Sequence, residues 1–175
     1  RHTRLQGDWS SDVCSSDLTG AVWSDTGRNL YVSSSIRAWI TRAQWNGSSA
    51  TWSTFYQSSG ACYGLELDRQ RRRLWTLTNA PGGGSSTSTR ELLCFDVDPR
   101  SPTYGQLLVH TSSLAGASRE RWGLSPSGNY AAVPHTFVNT GLFQLVDTDP
   151  GSPSFLSVVV SQPIPGASRS EEHTS

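Results

Sequence analysis

Short apolar runs alternate with polar turns along this chain, and the same phrases return. Val22-Trp23-Ser24-Asp25-Thr26-Gly27-Arg28-Asn29-Leu30-Tyr31-Val32 has counterparts in Glu66-Leu67-Asp68-Arg69-Gln70-Arg71-Arg72-Arg73-Leu74-Trp75-Thr76 and in Gly123-Leu124-Ser125-Pro126-Ser127-Gly128-Asn129-Tyr130-Ala131-Ala132-Val133. Each is a short strand, a polar turn and a second strand rich in aromatic or β-branched residues. Another phrase, Asp96-Val97-Asp98-Pro99-Arg100-Ser101-Pro102-Thr103-Tyr104, returns as Asp147-Thr148-Asp149-Pro150-Gly151-Ser152-Pro153-Ser154-Phe155. Apolar stretches flank both copies, and the Asp and Pro residues set turn geometry and interrupt pairing, which predicts strand, turn, strand. No segment sustains a helical apolar period, so very little helix is expected.

Joined together, the two phrases give four short strands per unit. The units run over about 20–59, with 36–44 and 51–56 as outer strands; about 60–117, lengthened by a loop over 79–89; and about 118–161. Residues 164–167 would open another. Four-stranded units repeating every roughly 40–55 residues are the signature of β-propeller blades. A stacked β-sandwich is the rival arrangement, but the threefold strand-turn-strand phrase favours the propeller. The expected fold is all-β, with about three four-stranded antiparallel blades of an incomplete β-propeller.

Particular residues carry a resemblance as well. Leu124-Ser125-Pro126-Ser127-Gly128-Asn129-Tyr130 resembles the LSPDGKY phrase of bacterial propellers of the YVTN and lactonase-like families, and Leu145-Val146-Asp147-Thr148 is similar to the V-I-D-T strand that follows it there. Leu92-Leu93-Cys94-Phe95-Asp96-Val97 is the same phrase one blade earlier. The resemblance spans most of 20–161 and implies the propeller fold. It implies little about activity, because one such scaffold hosts many functions. Arg71 departs from the pattern, standing where the middle blade would carry the turn Gly.

The two ends read differently. Written as AGA TCG GAA GAG CAC ACG TCT, the tail Arg169-Ser170-Glu171-Glu172-His173-Thr174-Ser175 has a reverse complement that, shifted by one base, encodes Asp12-Val13-Cys14-Ser15-Ser16-Asp17-Leu18. That DNA is a short-read sequencing-library adapter. Its extension yields Asp8-Trp9-Ser10-Ser11, and an index primer yields Arg1-His2-Thr3-Arg4. Residues 1–18 and 169–175 are therefore expected to be adapter-derived, with 19–168 the evolved stretch, an internal piece of a longer protein. The flanks are set aside as processing segments would be.

Doing so changes the composition. The chain as written is neutral, and setting the flanks aside removes three of its 14 basic and five of its 14 acidic residues, leaving a charge of about +2. Neither Lys nor Met occurs in the evolved stretch, and all-Arg usage points to a GC-rich microbial genome. So small a charge offers no attraction for nucleic acid or a membrane surface. No apolar run approaches the roughly 18 residues of a membrane span. Cys62 and Cys94 fit one disulfide of an exported protein or two buried thiols equally well.

In a propeller the turns inside strand pairs one–two and three–four share one face. The two–three loops and blade connectors share the other, around the channel mouth. This placement makes His135, Glu120, Arg121 and Asn79 candidates for binding at the channel face, and puts Glu66 on an innermost strand that could face the channel. Arg71, Arg72 and Arg73 read as a solvated hairpin turn. Asp98 and Asp149 read as turn caps bonding local amides. The loop over 81–86 is Gly-rich but lacks the Lys-Ser/Thr of a phosphate loop. The tryptophans are expected to pack between blades. No nucleophile elbow, zinc spacing or dinucleotide fingerprint occurs, so no catalytic residue, metal or cofactor is assigned. The expected role is a non-catalytic binding or scaffolding module of a bacterial, periplasmic or extracellular protein. Its partners would be a ligand or protein at the channel face and further blades of the same protein. The alternative is part of a lactonase-like hydrolase whose site needs those further blades.

Overall fold

The computed structural model describes residues 18–35, 38–58, 60–79, 90–111, 114, 122–137 and 140–164, with backbone alone for 135–137 and 140–141. The flanks 1–17 and 169–175 lie outside these residues; Leu18, which closes the first flank, opens a strand opposite Ser34. One sheet contains β1 (Leu18–Trp23), β2 (Asn29–Ser34), β3 (Trp39–Trp45) and β4 (Ala50–Gln57) in that order. A second contains β5 (Cys62–Asp68), β6 (Arg73–Asn79), β7 (Arg90–Asp96) and β8 (Leu107–His110). The third contains β9 (Gly123–Leu124), β10 (Tyr130–Phe137), β11 (Thr140–Asp147) and β12 (Val158–Pro163). All pairings are antiparallel between sequence neighbours, and no helix occurs among the described residues. Strand β5 lies against β1 on one side and β9 on the other, so the first strands line the axis and the fourth strands form the rim. Three separate meanders rule out the two-sheet sandwich. The chain folds as three four-stranded blades of a β-propeller.

Turn chemistry explains why the repeated phrases fold alike. Ser24 N–H donates to Asn29 O and Ser125 N–H donates to Tyr130 O, both at 2.8 Å, while Gly27 and Gly128 adopt left-handed φ of 64° and 71°. In the middle blade Arg71 occupies the glycine position, and the left-handed residue moves one place on to Arg72, at φ 53°. A side chain in that region costs about 1–2 kcal/mol, which its ion pairs offset.

The two Asp-Pro phrases build one loop twice. Asp96 accepts from Asp98 N–H at 2.8 Å and Thr103 Oγ1–H at 2.5 Å; Asp147 accepts from Asp149 N–H at 2.9 Å and Ser154 Oγ–H at 2.6 Å. Asp98 and Asp149 do cap, taking the N–H of Arg100 and Gly151. The buried carboxylates are nevertheless Asp96 and Asp147, one turn earlier. Burial raises the pKa of both, but the hydroxyl and amide donors outweigh it and hold both carboxyls below their ordinary value. A depressed folded-state pKa gives stability that is complete above the unfolded value, about 3.9, and lost as pH falls through the folded one. The denaturation midpoint should therefore hold between pH 7 and pH 5 and drop on going to pH 3. Asp96→Asn with Asp147→Asn should flatten that acid limb.

Core residues form two layers, one between each pair of neighbouring blades. Tyr31, Ile40, Cys62, Leu65, Leu74, Leu93, Phe95 and Val97 fill the seam of blades one and two. Tyr63, Trp75, Leu77, Leu92, Cys94, Leu114, Trp122, Ala131, Val133 and Val146 fill the seam of blades two and three. Trp75 and Trp122 pack there as expected, whereas Trp23 and Trp52 remain nearly half exposed. Cys62 and Cys94 point to opposite sides of the middle sheet, and both are free thiols. Burial pushes each up to about 12. Thiolate is the reactive form, so the native chain should leave both unmodified by a thiol reagent, and reductant should not shift its melting temperature. Labelling at the rate of free cysteine would contradict this packing.

The rim pairs share an irregularity: register slips between Ile40 and Thr41, between Cys94 and Phe95, and between Leu145 and Val146. One residue is bulged out of each outer ladder.

Candidate functional site

Of the five sequence-derived candidates, Glu66 and Asn79 have described side chains. Glu120 and Arg121 lie outside the described residues. His135 sits in β10 opposite Leu142, and its side chain is outside them as well. Glu66 is in β5, opposite Trp75. Leu65 and Leu67 pack into the seam with blade one, so the alternation of a strand directs Glu66 to the blade-three side. It is partly buried there, and burial raises its carboxyl above the ordinary value.

Asn79 has a well-defined setting. It ends β6, its Oδ1 accepts from Arg90 Nη1, and its Nδ2 donates to Tyr63 Oη at 3.4 Å. Arg90, at the start of β7, is 2% exposed and lies 4.3 Å over the Tyr63 ring. A buried cation is costly unless it is held; here an amide oxygen and an aromatic face hold it. Trp122 Nε1 donates to Tyr63 O at 2.8 Å, fixing the ring's strand against blade three. Arg90 at the edge of a Gly-rich loop gives no sequence sign of this burial.

On the other side of the same strand ends lies a cavity of about 140 Å³, at the rim end of the seam between blades one and two. Four elements and a linker supply it: Tyr56 from β4, Ser58, Thr78 and Asn79 at the end of β6, Glu91 and Leu93 from β7, and Leu107 and His110 from β8. Glu91 follows Arg90 directly, so the two charges point to opposite faces of the sheet. His110 Nδ1 is 3.9 Å from Glu91 Oε2, an ion-pair contact beyond hydrogen-bond length. Burial first, then the nearby Cys62 and Glu91, raise Tyr56 and keep its hydroxyl protonated. No sequence spacing links these residues, which is why none but Asn79 was foreseen.

The opposite face is occupied by ion pairs rather than by a solvated turn. Arg71 Nη1 donates to Asp68 Oδ2 and to Ser127 O, both at 3.0 Å; its Nη2 donates to Asn129 Oδ1 at 2.7 Å and Asp149 Oδ1 at 3.4 Å. Arg72 pairs with Asp98 at 3.0 Å and with Asp25 of blade one at 3.6 Å. Adjacent arginines thus clamp the middle blade to both neighbours, which corrects the reading of a free basic turn. Among the described residues, no group of three or more His, Cys, Asp or Glu could hold a metal ion, and no helix is long and apolar enough to cross a membrane.

Compared with protein-family models and with curated proteins, the sequence gives no match. Solved structures do match in shape. A candidate 6-phosphogluconolactonase from Bacteroides uniformis aligns at TM-score 0.62 and 15% identity, over 84% of this chain and 41% of its own. The β-propeller domain of Cps50 (Swd1) from Myceliophteria thermophila aligns at TM-score 0.51 and 15% identity, over 85% of this chain and 43% of its own. The chain thus spans less than half the length of the propellers it resembles. At these identities the likeness concerns fold.

Proposed function

We propose that these blades belong to a binding or scaffolding propeller without catalytic activity, part of a bacterial, exported protein. The observation that carries the reading is the cavity at the seam of blades one and two, which is shaped to hold a small ligand: an apolar floor of Leu93 and Leu107 under Tyr56, Ser58, Asn79 and Glu91. A mostly apolar concavity with a few convergent polar groups is the ordinary form of a ligand site. Arg90 supports it from behind by fixing Asn79, and a guanidinium, permanently charged, positions groups rather than shuttling protons. The exported setting rests on sequence alone, and the two free thiols add no disulfide to it.

One observation favours a second reading. Glu66, with its raised carboxyl on an axial strand, has the character of a general acid, as a lactonase-like hydrolase would require. Titrating the full chain with a panel of small cations, anions and polyols, while following backbone amide NMR signals, separates the two. The binding reading expects saturable shifts at Tyr56, Glu91 and His110 and no turnover of glucono-δ-lactone. Hydrolysis that disappears in Glu66→Gln would replace it with the hydrolase.

A further inference from the structure

The cavity lining has a definite polarity. Thr78 Oγ1–H donates to Ala61 O at 3.0 Å, and the Ser58 hydroxyl lies 3.1 Å from Thr78 Oγ1 while accepting from Gly60 N–H at 3.1 Å. The Thr78 proton thus serves a backbone carbonyl, which leaves its oxygen as an acceptor beside the Ser58 hydroxyl. Asn79 Oδ1 is taken by Arg90, and one amide proton is given to Tyr63. Glu91 adds a full negative charge, its side chain 19% exposed, and its partner His110 is more than half exposed and outside hydrogen-bond distance. Arg90, the adjacent cation, is stacked on Tyr63 on the far side of the sheet. The floor is Leu93 and Leu107.

We propose that this cavity is a site for a short alkylammonium group, with Glu91 as its anchor, Ser58 and Thr78 as acceptors, and the two leucines against its methylenes. The inference rests on the binding reading above and adds the ligand's charge and class. The Glu91 carboxylate and the acceptor oxygens beside it match an ammonium, which has three donors and no acceptor; an anion would be repelled by Glu91. Its size suits a chain of about four carbons.

n-Butylammonium, 1-butanol and butyrate share one chain length and differ in charge, and titrating the full chain with each at pH 8 tests the assignment. Saturable binding is expected for butylammonium only, with amide shifts centred on Ser58, Glu91 and Leu107. Glu91→Gln should weaken it about twofold to fivefold, the scale of a partly exposed charge pair, with the fold checked by its melt. Leu107→Trp fills the floor without touching the carboxylate and should abolish saturation. Butanol binding as tightly as butylammonium, or unchanged affinity in both variants, would overturn the ammonium assignment while leaving a ligand cavity. No saturable shift at the cavity with any class of small ligand would overturn both.

Discussion

Trp75→Ala is expected to remove about 3–5 kcal/mol of stability, the range for deleting a fully buried tryptophan. Trp75 is 0% exposed, and it is the largest fully buried side chain described. It fills the seam between blades two and three, packed among Tyr63, Leu77, Leu92, Cys94, Val133 and Val146. Every one of those neighbours belongs to a strand held by its own ladder, so the void cannot close by a local shift. Domains of this size are stable by roughly 5–15 kcal/mol, and the variant should melt far earlier or lose blade three from the cooperative unit. Trp75→Phe is the informative companion. Among the described residues the indole Nε1–H has no hydrogen-bond partner, so phenylalanine relieves an unsatisfied donor while keeping most of the volume, and its loss should be much smaller. Equal losses in the two variants, measured by denaturant unfolding, would show that packing volume does not hold this seam.

Arg71→Gly would restore the turn residue that the other two blades carry, and a sequence-based repair would choose it. The expected result is a loss of about 2 kcal/mol. Asp68 has a side chain 3% exposed and keeps only the Gln70 and Arg71 amides when the guanidinium is gone. Stranding one partner of a buried pair costs about 3–5 kcal/mol, discounted here because Arg71 is itself 26% exposed. Three further contacts, to Ser127, Asn129 and Asp149, tie the turn to blade three and go with it. The new glycine gains nothing in return, because the left-handed position is residue 72. High salt should narrow the difference from the parent chain. A higher melting temperature for the variant would show that the clamp is decorative.

Gly128 belongs to this clamp. A Cβ there would come 2.6 Å from Asp68 Oδ2, and the residue also needs a φ of 71°. Its place in the Leu-Ser-Pro-Ser-Gly phrase is legible as turn chemistry, because that requirement is local. The second requirement is not, since Asp68 lies on another blade. The same division runs through the molecule. Hairpins, the doubled Asp-Pro loop and the four-strand period are written in neighbouring residues, so alternation and turn composition reveal them. Arg71 looks like surplus charge in a turn until the blade beyond it is in place. Asp98 and Asp149 were identifiable as caps, but the buried Asp96 and Asp147 differ from them only by how far each loop folds back. The cavity is less legible still, as its lining comes from four strands and a linker, and only Asn79 was a candidate beforehand.

The bulges in the three rim pairs bear on how such blades meet other chains. Each bends the outer ladder and increases its twist, so β4, β8 and β12 present curved edges that template an incoming strand poorly. The exposed apolar side chains, among them Trp52 of β4, Leu107 and Leu108 of β8 and Val158 and Val159 of β12, stand on the sheet faces rather than along the edge backbone. Ala131 and Val133 point into the seam with blade two, which turns Tyr130, 43% exposed, to the opposite face of blade three. Self-association of this chain should therefore proceed by stacking of sheet faces, and its aggregates should lack the thioflavin response and the 4.7–4.8 Å repeat of strands paired side by side along a fibril.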